Sequence, residues 1–217
     1  MATAIRLGLI GASEWAEFAF LQPLVGWDRA SIVAVCARNE QRRQQVADTF
    51  GIEHTFADWR ELIASCDLDG VIVATPDGLH HDIAVAAMDA GLGVLCEKPL
   101  GRTVVETAHM VATAARAGVV NHVMFTYRGK PHYRFIKDEL SQLGRVLHCA
   151  LTFRMGYARN DNYFWRLDGN NGDGARGDLA VHMVDLAQWL VGDIDSATTT
   201  TGHYFSRYDN EGHAVPP

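Results

Sequence analysis

The sequence predicts an α/β protein in two parts, a doubly wound parallel sheet over residues 1–126 and an α+β domain over residues 127–217. Three observations carry this expectation. Strand-like and helix-like segments alternate from the amino terminus. The strand segments are short unbroken apolar runs such as Gly70-Val71-Ile72-Val73-Ala74, the pattern of strands buried on both faces. After Thr126 the alternation stops and a different order of elements begins.

The elements follow in order. Ala4 to Ile10 reads as a strand ending in Gly11, and a helix is expected from about Ser13 to Val25. Ser31 to Ala37 repeats the strand pattern, and Asn39 is a good N-cap for a polar helix from Glu40 to Thr49. A weak strand near His54 to Phe56, a helix from Trp59 to Ser65 and an apolar strand at Gly70 to Ala74 come next. A helix from His80 to Ala90 precedes the strand Gly93 to Cys96. Thr103-Val104-Val105-Glu106 fits a capping box and opens a helix to Ala117, and a last strand is expected at His122 to Thr126. Beyond it, the sequence predicts a helix from Pro131 to Leu143 and a long strand from Arg145 to Phe153, rich in β-branched and aromatic residues. A Gly/Asn/Asp loop from Asp168 to Gly177, an apolar helix to Val191 and a Thr-rich strand from Ser196 to Tyr204 complete the chain.

Composition narrows the function classes. With 48% hydrophobic and 21% charged residues the chain is that of a soluble globular protein, long enough to bury roughly 70% of its unfolded surface. A net charge of -7 without a basic run excludes a phosphate-neutralising nucleic-acid surface and an acidic membrane as partners. The four cysteines, Cys36, Cys66, Cys96 and Cys149, make no metal-ligand spacing, so no metal is expected; they read as buried thiols of a reducing cytoplasm. Neither a signal peptide nor a transmembrane run is evident, which places the protein in the cytoplasm.

Five segments carry chemistry. Gly8-Leu9-Ile10-Gly11-Ala12-Ser13-Glu14-Trp15-Ala16 joins a strand to a helix through a glycine turn, as a dinucleotide fingerprint does. Gly11 and Ala16 serve as its first and third small residues, and Ser13 stands where a second glycine is usual. A mere tight turn is the competing reading. At the end of the second strand, Cys36-Ala37-Arg38-Asn39 offers no carboxylate for a ribose diol, whereas Arg38 can pair with a 2′-phosphate; NADP is therefore favoured over NAD. Thr75-Pro76-Asp77-Gly78-Leu79-His80 and Glu97-Lys98-Pro99 both follow apolar strands at their carboxyl ends, where parallel sheets bind ligands. The first is expected to be a nicotinamide-side loop; otherwise it is a capping turn with His80 and His81 exposed. Lastly, Asp178, His182 and Asp185 stand at i, i+4 and i+7 of an otherwise apolar helix, so three polar groups share one stripe behind a glycine-rich loop.

Assembled in this order, together with Phe164-Trp165-Arg166, these motifs resemble the glucose-fructose oxidoreductase / inositol dehydrogenase / rhizopine-catabolism (Gfo/Idh/MocA) family over nearly the whole chain. The resemblance implies a Rossmann domain and an NAD(P)-dependent oxidoreductase acting on a sugar, cyclitol or similar polyol. It carries Lys98, Asp178 and His182 over as the catalytic residues. Cofactor contacts are expected from Gly11, Ala12, Ser13, Glu14, Trp15, Arg38, Thr75, Pro76, Asp77, His80, Glu97 and Lys98. Substrate hydroxyls are assigned to Arg128, Tyr157, Asn162, Trp165, Arg166 and His182. The chain stops at Pro217, short of the family's usual length, so the second-domain sheet is expected to be cut short, in a fragment of a longer product or in a reduced form. Second-domain sheets often form interfaces in this family, which leaves room for a homo-oligomer. Two other readings stay open: a non-catalytic dinucleotide-binding or regulatory protein, and a sugar-modifying enzyme that uses NAD transiently.

Overall fold

A computed structural model describes residues 4–156, 173–202, 207–208 and 211–215, which fall into two compact units, Met1–Met124 and Phe125–Pro217. The first unit is a six-stranded sheet. Its strands are β1 (Ile5–Ile10), β2 (Ala30–Cys36), β3 (His54–Phe56), β4 (Gly70–Val73), β5 (Gly93–Cys96) and β6 (Asn121–Val123). All pairings are parallel, in the order β3-β2-β1-β4-β5-β6. The chain therefore winds outward from β1 in both directions, and the order reverses between β1 and β4. A doubly wound sheet opens its ligand crevice at the carboxyl ends flanking that switch point.

Alternation along each strand divides the core into two layers. Ile10, Cys36, Val71, Val73, Val94 and Cys96 point to one face, where α4 (Trp59–Ser65), α5 (His80–Asp89) and α6 (Val104–Ala117) cover them with Leu62, Ile83, Met88 and Met110. Leu9, Val35 and Ile72 point to the other, beneath α3 (Glu40–Phe50) and a helical run made of α1 (Glu14–Ala16), a π-helical turn at Glu17–Leu21 and α2 (Gln22–Leu24). Burying each of these large side chains stabilises the sheet by about 1.5–3 kcal/mol, which is why both faces of β1 and β4 must be apolar.

Local signals set the helix starts. The Asn39 side chain accepts the Arg42 N–H at 2.9 Å, and the Asp58 side chain caps α4 by accepting the Arg60 N–H at 2.9 Å. In the expected capping box Thr103 accepts the Glu106 N–H at 3.1 Å, but the Glu106 carboxylate reaches back to the Arg102 N–H at 2.7 Å, one residue before the cap.

The second unit holds α7 (Pro131–Leu140), then α8 (Val181–Leu190) behind a π-helical turn at Arg176–Ala180, and a two-stranded antiparallel pair, β7 (Arg207–Tyr208) with β8 (Ala214–Val215). Two expectations are corrected here. Residues 145–153 and the described part of the Thr-rich segment, 196–202, enter no ladder among the described residues. β-propensity describes fit to a pleated surface, and a strand exists only where a neighbour supplies pairing. The cysteine reading is corrected too: Cys36 and Cys96 are buried, but Cys66 is half-buried and Cys149 exposed. No helix among the described residues is long and apolar enough to cross a membrane.

Candidate active site

The turn after β1 is held from both sides. Gly11 donates its N–H to the Cys36 carbonyl at 2.9 Å, and Ala74 donates to the Ile10 carbonyl at 2.8 Å. Gly11 has φ +112, and a Cβ there would lie 2.3 Å from the Ala74 carbonyl oxygen. Only glycine lets β1 and β4 meet this closely. Ser13, in the place of the usual second glycine, caps the helix: its Oγ accepts the Ala16 N–H at 3.1 Å. Glu14 and Trp15 follow in the first turn.

Two arginines that local sequence pattern does not single out brace this turn. Arg42 Nε donates to the Ala12 carbonyl at 2.8 Å while its Nη2 pairs with Glu17 at 2.5 Å, and Arg43 Nη1 donates to the Ala37 carbonyl at 2.6 Å. Their only sequence signal is a pair of basic residues one turn into a capped helix. Arg38 stands exposed just past the end of β2.

The loops after β4 and β5 meet around Glu97. This carboxylate is 6% exposed; its Oε1 accepts the Trp15 indole N–H at 2.7 Å and its Oε2 the Lys98 N–H at 3.2 Å. Burial raises its pKa above the ordinary carboxylate range, opposed by those two bonds and by the charges of Lys98 and His80. Residue 15 and residue 97 thus join the fingerprint turn to the Glu-Lys-Pro loop. The Lys98–Pro99 peptide is cis. Thr75 Oγ1 is buried without a hydrogen-bond partner among the described residues, and Asp77 is buried in the turn Asp77–Leu79. His80 is corrected as a cofactor contact: it is 0% exposed, and both ring nitrogens face main-chain carbonyls, leaving no polar side-chain atom for a ligand.

These residues suit a dinucleotide. The turn lies at the switch point between β1 and β4, a helix capped by Ser13 starts there, and the Thr75 hydroxyl at the next strand end is buried without a hydrogen-bond partner among the described residues.

In the second unit, His182 and Asp185 are both buried on α8, and Asp178 is half-buried on the π-helical turn before it. His182 lies among aromatic rings: Tyr127 edge-on at 4.8 Å, Phe125 at 6.3 Å, and Phe153 stacked at 6.4 Å. Asp185 is committed elsewhere. Arg128 grips it with two bonds, Nη2 to Oδ1 at 2.6 Å and Nε to Oδ2 at 3.0 Å, so Arg128 is an internal brace and two of its nitrogens are spent. The expected substrate residues Tyr157, Asn162, Trp165 and Arg166 lie outside the described residues.

Comparison with known proteins places this architecture. The model of an oxidoreductase family with an NAD-binding Rossmann fold matches residues 5–125, and that of a GFO/IDH/MocA C-terminal domain matches residues 139–215. Levoglucosan dehydrogenase of Pseudarthrobacter phenanthrenivorans is 32% identical over 88% of this chain and 52% of its own length. A scyllo-inositol 2-dehydrogenase (NADP(+)) of Bacillus subtilis is 27% identical over 97% of this chain and 66% of its own. Among solved structures, levoglucosan dehydrogenase in complex with NADH and levoglucosan superposes with a TM-score of 0.77 at 32% identity, covering 88% of this chain and 55% of that one. The chain spans about half to two thirds of the length of these relatives. With the nucleotide-binding model matched over more than half of its residues, the protein belongs to the GFO/IDH/MocA oxidoreductase family.

Proposed function

We propose that this protein transfers hydride between a nicotinamide cofactor and a secondary alcohol of a sugar, cyclitol or related polyol. The observation that carries the reading is the meeting, at the carboxyl ends of β1 and β5, of the Gly11 turn and the Lys98 loop, tied together by the Trp15 to Glu97 hydrogen bond. Carbohydrate substrates are favoured because the relatives' names specify levoglucosan and scyllo-inositol.

In this reading residues 1–124 bind the nucleotide and the rest of the chain receives the substrate. The Gly11-Ala12-Ser13 turn and the first turn beyond it hold the pyrophosphate, Arg38 takes a 2′-phosphate, and Thr75 and Pro76 line the nicotinamide side. NADP is preferred because no carboxylate ends β2. Bound nicotinamide supplies the hydride acceptor or donor. Lys98 holds the substrate oxygen and stabilises negative charge on it, His182 takes the hydroxyl proton, and Asp178 orients the pair; proton transfer of this kind contributes about 10² to 10⁴ in rate.

The test is a titration of the chain with NADP and NAD, followed by a polyol panel read by nicotinamide absorbance. NADP is expected to bind more tightly, His182→Ala is expected to keep nucleotide binding, and both Lys98→Ala and His182→Ala are expected to lose at least about a hundredfold in turnover. Wild-type turnover in either variant would end the catalytic assignment, and binding without turnover on every polyol would favour a non-catalytic nucleotide-binding protein.

A further inference from the structure

Arg42, half-buried in the first turn of α3, is a charge that the proposed chemistry leaves unused. Its guanidinium serves three acceptors: Nε donates to the Ala12 carbonyl at 2.8 Å, Nη1 to the Gln45 side chain at 3.1 Å, and Nη2 lies 2.5 Å from the Glu17 carboxylate on the π-helical turn. A planar fork can hold three acceptors in fixed directions, which a lysine ammonium on a flexible stem cannot. Arg42 is itself held in place. Asn39 accepts its main-chain N–H at 2.9 Å, and the neighbouring Arg43 Nη1 donates to the Ala37 carbonyl at 2.6 Å. The bond to Ala12 also orients the other side of that peptide. The Ala12–Ser13 bond is trans, the cis peptide being Lys98–Pro99, and in a trans peptide the C=O and N–H point in opposite directions. With the Ala12 carbonyl turned toward α3, the Ser13 N–H is turned away from it. Ala12 is 6% exposed and Ser13 is exposed, so this peptide leads from the core to the surface at the carboxyl end of β1. One residue earlier, the Gly11 N–H is bonded to the Cys36 carbonyl at 2.9 Å, so the turn is fastened to both β2 and α3.

We propose that Arg42 is a positioning residue for the nucleotide turn: by anchoring the Ala12 carbonyl to α3 it aims the Ser13 main-chain N–H, on the far side of the same peptide, at the pyrophosphate of the dinucleotide. This rests on the reading above, in which the Gly11-Ala12-Ser13 turn holds that group. Arg42 acts through the peptide and not on the ligand, because Ala12, Gln45 and Glu17 occupy its three nitrogens and Glu17 pairs its charge. It therefore differs from Arg38, which is exposed and is assigned to a 2′-phosphate. NAD and NADP share the pyrophosphate, so both depend on Arg42 equally, whereas Arg38 separates them.

Calorimetric titration of NAD and NADP into the wild-type chain and three variants tests the anchor, with urea unfolding of each protein measured alongside. Arg42→Met removes the donor to Ala12 and is expected to weaken both nucleotides by the same factor of about ten. Glu17→Gln breaks the ion pair but leaves Nε on Ala12, so it is expected to lower stability while keeping both affinities within about twofold of wild type. Arg42→Met with Glu17→Gln removes the anchor without leaving a lone carboxylate; it is expected to be more stable than Arg42→Met and to bind as weakly. A loss confined to NADP would make Arg42 a 2′-phosphate contact and overturn the proposal. Unchanged affinity in Arg42→Met, equal losses in Arg42→Met and Glu17→Gln, or wild-type affinity in the double variant would overturn it as well. A wild-type chain that binds neither nucleotide would sink the proposed function, and amide NMR with inorganic pyrophosphate as the probe then decides the anchor by itself. The Ser13 amide is expected to shift in the wild type and not in the double variant; no shift in the wild type, or the same shift in both, would overturn the anchor.

Discussion

Replacing Gly11 with alanine probes the junction on which both the sheet and the nucleotide turn depend. Two costs combine. Gly11 has φ +112, a conformation that L side chains rarely adopt, and strain of that kind costs about 1–3 kcal/mol. The new Cβ would also lie 2.3 Å from the Ala74 oxygen and 2.6 Å from its carbonyl carbon, where ordinary contact begins near 3.4 Å. Neither side can retreat cheaply, because Gly11 is bonded to Cys36 and Ala74 to Ile10. Overpacking against a fixed wall adds about 1–3 kcal/mol. The expected loss is therefore about 4 kcal/mol, a large part of the roughly 5–15 kcal/mol that holds a domain folded. Urea unfolding followed by circular dichroism measures it, and calorimetric titration with NADP is expected to show lost binding in whatever variant protein remains folded. A Gly11→Ala protein within about 0.5 kcal/mol of wild type, with unchanged NADP affinity, would refute the reasoning.

Two further outcomes follow from side-chain pairs. Trp15→Phe removes the indole donor to Glu97; because Trp15 is 40% exposed, the expected cost is only on the order of 1 kcal/mol at pH 7.5. Burial raises the folded-state pKa of Glu97, so its contribution is fully present below the unfolded pKa and is lost as pH rises through the folded one. The variant raises that pKa further, so its deficit should widen from pH 4 to pH 7.5; an equal deficit at both in urea titrations would disprove the coupling. Arg128→Ala leaves Asp185, 6% exposed, without its bidentate partner. With the arginine half-exposed, a loss of about 2 kcal/mol is expected, partly recovered by Arg128→Met with Asp185→Leu, both measured by thermal unfolding. No recovery in the double variant would show that the buried charge was not the cause.

Local elements were legible because their signals are local. Asn39 and Thr103 announce their helices through a side chain that bonds three residues away, and unbroken apolar runs such as Val71-Ile72-Val73 announce strands covered on both faces. Gly11 and Ser13 were likewise visible as residue types at a strand-to-helix turn. Where the expectation failed, the deciding partner was distant. Arg145 to Phe153 has the side chains of a strand but no described neighbour to pair with. His80 looked like a loop histidine facing a cofactor, yet it is sealed between two carbonyls. Arg128 looked free to greet a substrate and instead holds Asp185 across 57 residues of sequence.

The sequence by itself determined the alternation of strands and helices, the apolar faces of the sheet and the order of the family's motifs, since each depends on residues within a turn or two of one another. Tertiary structure alone decided which strands lie side by side, that Ala74 presses on Gly11, and that Trp15 reaches Glu97 from 82 residues away. The physical reason is that hydrogen-bond satisfaction and close packing are settled in three dimensions. A buried carboxylate or imidazole takes whichever donor or acceptor the folded chain brings within about 3 Å, and no local pattern records that choice.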